Sequence, residues 1–329
     1  MAESERDRIA EAVAALCRGG IIAFPTETVY GLGADARSSE AIGKIYAAKG
    51  RPATNPSIVH VPDAGTARRY AAKWPETAEK LAAKFWPGPL TLVVEKTDQI
   101  VPEATAGRKT VGLRVPNHPV ALKLLKAFGG PVAAPSANRS GRVSPTTAEH
   151  VWKELGKWVD VILDGGACSV GIESTVLDLT QAIPIILRLG GVSRKEIESL
   201  IGQVDVFDSS VAAGVAAASP GMSASHYSPT TPAYRFAAGD GKRIVEWLSN
   251  HPGQGVTILA LNRTRLPQEM VATQSIVIMP MDAGEYAKRL YSALHKADGT
   301  SGSIWIEMPP DHAEWAAVRD RLQRATKSS

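Results

Sequence analysis

Three observations predict an α/β protein of two domains. Short apolar runs alternate with amphipathic stretches that carry helix start signals, which is the pattern of a sheet flanked by helices. A segment rich in Gly, Ser and Pro interrupts the alternation, and the same alternation then resumes. At 329 residues the chain also exceeds the usual size of one domain. Residues 1–205 therefore read as a mixed, twisted sheet with flanking helices, 206–232 as a linker, and 233–329 as a smaller three-layer α/β domain.

The elements follow in order. MAESERDRIAEAVAAL is charged and amphipathic, so it reads as an opening helix. Ile21 to Phe24 is an apolar run suited to a buried strand. Ser38 and Ser39 precede a helix over Glu40 to Ala48. Ser57 to Val61 is the next strand, Pro75 opens a helix over Glu76 to Phe85, and Leu90 to Glu95 is again a strand. The stretch from there to the strand Val111 to Val115 leaves no room for a helix, which argues for a mixed sheet. Asn117 is the expected cap of a helix with Pro119 in its first turn. Val132 to Ala134, a helix from about Thr146, and the strands Val159 to Leu163, Thr175 to Leu179 and Ile185 to Leu189 complete the sheet, and Ser193 caps Arg194 to Leu200. After the linker come a strand, a helix (Gly241 to Asn250), two strands (Val256 to Leu261, Ser275 to Met279), a helix (Ala283 to Ala297), a strand (Ser303 to Glu307) and a helix (Ala313 to Ala325). This small domain has the order of a Rossmann-like sheet but lacks GxGxxG and GxxxxGK[ST], so no nucleotide site is expected on it.

Composition narrows the function. With 37 Lys and Arg against 33 Asp and Glu, the net charge of +4 is far from that of a dedicated nucleic-acid binder, so any cationic site must be local. Two cysteines, Cys17 and Cys168, cannot supply a zinc quartet, and HExxH and CxxC are absent. No apolar run is long enough to span a membrane, and a cytoplasmic location is expected.

The polar islands carry the chemistry. Lys49-Gly-Arg51-Pro52 with Asn55 places two cations beside a helix breaker, which suits a rigid grip on an anion as well as a solvated helix end. Phe24-Pro-Thr-Glu-Thr28-Val-Tyr-Gly-Leu-Gly33 directly follows a strand and reads as a polar loop at a pocket or as a capped turn. His60 closes an apolar run. Arg114 interrupts a buried strand, so it needs an acid such as Glu27 or Glu173, or else clamps a substrate carboxylate. Ser136, Asn138 and Ser144 lie in a loop between strand and helix, where hydroxyls and backbone amides suit phosphate.

These islands, in the order FPTETVYGLG, KGRP with Asn55 and His60, GLRVP, APSANRSG, ESTV, RLG and PGMxxxHYxP, resemble the YrdC-type threonylcarbamoyl-AMP synthases. The second domain is similar to that of the family's long form. The resemblance implies a YrdC-like fold and formation of threonylcarbamoyl-AMP and pyrophosphate from L-threonine, bicarbonate and ATP. Mg2+ would accompany ATP. The product would pass to a separate transferase that builds threonylcarbamoyladenosine in tRNA. By the same resemblance, Lys49 and Arg51 are catalytic and, with Asn55, Thr110, Ser136, Asn138, Ser144, Arg188 and Tyr227, contact ATP. Thr28, His60, Arg114, Ala134 and Ser174 hold L-threonine, Ala134 through its backbone. A module that binds double-stranded RNA or tRNA is the alternative, and a weak tRNA contact is compatible with either reading.

Overall fold

The computed structural model describes residues 5–52, 54–207 and 226–328, so most of the expected linker, with its Pro220-Gly-Met, lies outside the described residues. The first compact unit is built from α1 (Glu5–Cys17), β1 (Ile22–Phe24), β2 (Gly31–Asp35), α2 (Ser39–Lys49), β3 (Ile58–His60), α3 (Ala64–Tyr70), α4 (Glu76–Phe85), β4 (Leu90–Glu95), β5 (Thr110–Arg114), α5 (Pro119–Phe128), β6 (Val132–Ala133), α6 (Ala148–Leu155), β7 (Val161–Ile162), β8 (Thr175–Asp178), β9 (Ile185–Arg188), α7 (Arg194–Ile201) and β10 (Asp205–Val206). Its ten strands form one sheet in the order β10-β9-β8-β4-β5-β3-β6-β2-β1-β7. Pairing is mixed: β3 with β5 and β4 with β8 are parallel, whereas β4 with β5 and β8 with β9 are antiparallel. Between β4 and β5 there is only one short 3-10 turn, Pro102–Thr105.

Local signals set the helix ends. The Ser38 side chain accepts a hydrogen bond from the Ala41 amide, and α7 carries a full capping box between Ser193 and Glu196. The cap of α5 is His118 rather than Asn117. Pro119 cannot donate a backbone hydrogen bond and occupies the first helical position, which makes its neighbour the cap.

β2, like the two-residue β10, is a strand that the sequence conceals. Its Gly31 and Gly33 read as loop residues, yet a Cβ on Gly33 would lie 2.8 Å from Val132 and 2.9 Å from the Phe24 ring. Glycine here permits close packing inside a sheet.

Side chains alternate between the faces of the sheet. Ile22, Phe24 and Val132 pack against α1 and α5 residues such as Leu16 and Leu124. Ala23, Val59 and Leu113 face the opposite way, with Ile42 and Ile45 of α2. The first face continues across β3, β4 and β8, where Ile58, Val93 and Val176 form a small apolar cluster of their own.

The second compact unit takes in 141–143, 170–172 and the described part of 223–329. It contains β11 (Ala233–Phe236), α8 (Lys242–Asn250), β12 (Val256–Ala260), α9 (Gln268–Thr273), β13 (Ser275–Ile278), α10 (Ala283–Ala297), β14 (Ser303–Glu307), α11 (Ala316–Ala325) and β15 (Lys327–Ser328). Its sheet, β13-β12-β14-β11-β15, is parallel throughout, as expected of a Rossmann-like domain. Among the described residues no helix is long and apolar enough to cross a membrane.

Candidate active site

Strand register assembles the site. Parallel pairing sets His60 beside Arg114, and antiparallel pairing sets Val93 beside Gly112, so Thr110, Gly112 and Arg114 share a face with Ile58 and His60. Thr91 lies on this face too and pairs with Val176 of β8, which pairs with Arg188 of β9. A shallow cleft opens there, lined by Ile58, Thr91, Val93, Arg108, Thr110 and Val176, among others. Gly112 keeps its floor low, because a Cβ at that position would meet the Thr91 methyl at 3.0 Å.

One group is cationic. α2 ends at Lys49, Gly50 turns the chain in the left-handed region at φ 58°, and Arg51 leaves in a new direction. The Lys49 ammonium is buried and donates to the carbonyl oxygens of Ser136 and Asn138. Burial, and then the charge of Arg51, hold its pKa well below the usual lysine value. Arg51 donates to the carbonyl oxygens of Pro56 at 2.9 Å and Asn55 at 3.4 Å. Lys49, Arg51, Asn55, Ser136 and Asn138, from two separate islands, thus form two linked contact groups. Ser144 is fully buried and donates to Glu173 at 2.6 Å.

The other group is centred on Arg114. Its guanidinium pairs with Glu27 at 2.7 Å, both side chains being 4% exposed, and also donates to Thr28 Oγ1 at 2.9 Å and the Gly88 carbonyl at 3.2 Å. The internal partner left open between two acids is therefore Glu27, whereas Glu173 serves Ser144. His60 lies edge-on to Phe24, and burial, with the nearby Arg114 charge, pushes its pKa down to about 3, so the ring is neutral. Ser174 shares a hydrogen bond with Thr91 at 2.8 Å, and Arg188 donates to the Ser174 carbonyl at 3.0 Å. Ala134 presents no polar side chain, and its amide donates to the Ile58 carbonyl oxygen at 2.8 Å. Cys168 is buried beside this group; burial, and then the charge of Glu27, push its thiol up to about 12, which leaves it unreactive.

Tyr227 belongs to the second unit. It is 1% exposed at φ 63°, stacks on Tyr291 at 5.7 Å between ring centroids, and lies under the Arg321 guanidinium at 5.2 Å. Thr91, Gly112 and Gly190 join the site without having been singled out as contacts. Gly190 is part of the RLG motif, and a Cβ on it would lie 2.3 Å from the Glu173 carbonyl oxygen. Strand periodicity through Leu90 to Glu95 is the signal that finds Thr91.

Comparison with known proteins gives a consistent picture. Residues 14–190 match the Sua5, YciO and YrdC family model, described as "Telomere recombination", and residues 192–327 match "Threonylcarbamoyl-AMP synthase, C-terminal domain". The threonylcarbamoyl-AMP synthase of Bacillus subtilis is 40% identical over 322 residues, which cover 97% of this chain and 92% of that protein. The crystal structure of Pyrococcus abyssi Sua5 complexed with L-threonine matches at TM-score 0.89 and 36% identity, covering 99% of this chain and 96% of that one. Escherichia coli YciO matches 59% of this chain with 94% of its own, at TM-score 0.52 and 27% identity.

Proposed function

The chain belongs to the Sua5, YciO and YrdC family in its two-domain form, and from that premise we propose that it is a threonylcarbamoyl-AMP synthase and assign the work of its site. The observation that carries the assignment is the segregation of charge within the first unit. Lys49 and Arg51 form a cationic group suited to a polyphosphate, and Arg114 with Glu27 forms a neutral pair among hydroxyls suited to an amino acid.

The amine of L-threonine, as the free base, bonds to the carbon of CO2 drawn from bicarbonate and loses a proton, giving a carbamate. A carbamate oxygen then attacks the α-phosphorus of ATP, the bond from that phosphorus to the bridging oxygen breaks, and pyrophosphate leaves with the electron pair. Such a displacement asks little covalent chemistry of the protein, so positioning and charge stabilisation dominate. Arg114, Thr28 and Ser174 hold the amino acid, and neutral His60 shapes its side-chain pocket. Lys49 gives up its two carbonyl partners for the phosphates, whose charge favours its protonated form. Arg51, Asn55, Ser136, Asn138, Ser144 and Arg188 complete the nucleotide contacts, with Thr110 at the cleft. Resemblance to the family also assigns Tyr227 to the nucleotide. Mg2+ enters with ATP, and no cluster of three metal-ligating side chains occurs among the described residues.

Incubation with ATP, bicarbonate and each amino acid in turn tests the reading. Pyrophosphate release and a threonylcarbamoyl adenylate in the mass spectrum are expected with L-threonine alone. Release that does not depend on the amino acid would overturn it.

A further inference from the structure

Arg114 would attract any carboxylate if it stood alone, yet it does not stand alone. Glu27 faces it at 2.7 Å, is 4% exposed, and is fixed from behind by the Asn117 amide at 3.0 Å. Thr28 ties the same guanidinium to the loop that carries Glu27. His60, the adjacent titratable side chain on β3, is neutral. The formal charge of the pair is therefore zero before any ligand arrives.

A ligand that brings net negative charge must be accommodated next to the Glu27 carboxylate in a site with little water to screen it. A zwitterion brings none, and its ammonium compensates the carboxylate held on Arg114. We propose that Glu27 is a specificity-determining residue: it sets the charge of the amino-acid subsite so that zwitterionic amino acids are accepted and carboxylates without an ammonium are rejected. The inference rests on the reading of Arg114 as the holder of the threonine carboxylate. Glu27 acts through Arg114 and the local field; it is a positioning residue and takes no part in bond making.

The test compares L-threonine with 2,3-dihydroxybutanoate, which has nearly the same shape but carries a hydroxyl in place of the ammonium. In the wild-type full chain, the analogue should compete with L-threonine at least tenfold more weakly than L-threonine binds; equal affinities would overturn the proposal. In Glu27→Gln, which keeps the shape of the side chain, the ratio should shift about tenfold towards the anion, with the analogue binding more tightly than in the wild type. Parallel weakening of both ligands would show a merely structural role and overturn the proposal. Glu27→Asp keeps the charge and should keep the preference for the zwitterion, so loss of that preference in this variant would also count against the idea. Arg114→Lys should weaken both ligands; if L-threonine affinity were unchanged, the reading of Arg114 itself would fail, separately from the role of Glu27.

Discussion

Lys49 is a cation kept almost out of water, with its ammonium on two carbonyls, and this arrangement costs stability that only an anionic ligand recovers. Lys49→Met should therefore leave the urea midpoint of the ligand-free chain unchanged or raised, while pyrophosphate release falls about 100-fold or more. A lowered midpoint would show that the lysine stabilises the fold. His60 yields a prediction with a defined sign. Its folded-state pKa of about 3 lies below the ordinary 6.5, so between these values the unfolded chain binds a proton that the folded chain does not. Stability should fall as pH drops from about 6.5 towards 3, with up to about 1.4 kcal/mol lost per pH unit from this one group. In His60→Gln that contribution disappears, and the dependence of the urea midpoint on pH should be flatter over the same window. Residue identity made much of this legible. Lys49-x-Arg51 stands out as two cations beside a helix-breaking proline, and Arg114 because a charge in an apolar run needs a partner. Which partner Arg114 takes is not written locally, because Glu27 is 87 positions away and only the fold brings the two together.

At the scale of elements, most helices were legible from their end signals and from a 3.6-residue apolar period, whereas the short α3 and α9 were not. The capping box on α7 is one such signal, and Ser193→Ala should cost about 1 kcal/mol in urea unfolding without changing the affinity for L-threonine. Strands were legible where they are long and apolar, as in Leu90–Glu95. β2 was not, because its glycines serve the packing of Phe24 and Val132 on neighbouring strands rather than any period of their own. Gly33→Ala should consequently destabilise the chain by about 1–3 kcal/mol through overpacking, measured as a lower thermal midpoint. Gly190→Ala belongs to the same class, with a different readout. Its Cβ would press on the backbone of Glu173 and Ser174, so L-threonine binding should weaken even in the fraction that folds.

At the scale of the whole molecule, the order of domains was legible from the break in composition, whereas the pairing order of the sheet was not. Short strands of similar composition do not name their neighbours, and β3, β5 and β6 meet only through long connections. A chain ended at 207 keeps the ten-stranded sheet and should fold with a single cooperative transition, but on the assignment of Tyr227 to the nucleotide it should lose most of its activity. Full turnover by that fragment would show the second unit to be dispensable. The sheet also has a consequence for biosynthesis. β4, near the middle of the sheet, pairs Leu90 with Thr175, and β1 pairs Ile22 with Val161, so neither strand can complete its pairing until much of the domain has left the ribosome. Until then the nascent chain exposes strands such as Leu90–Glu95 with one edge unmatched, and rapid, crowded expression should favour aggregates over folded product more than slow expression does.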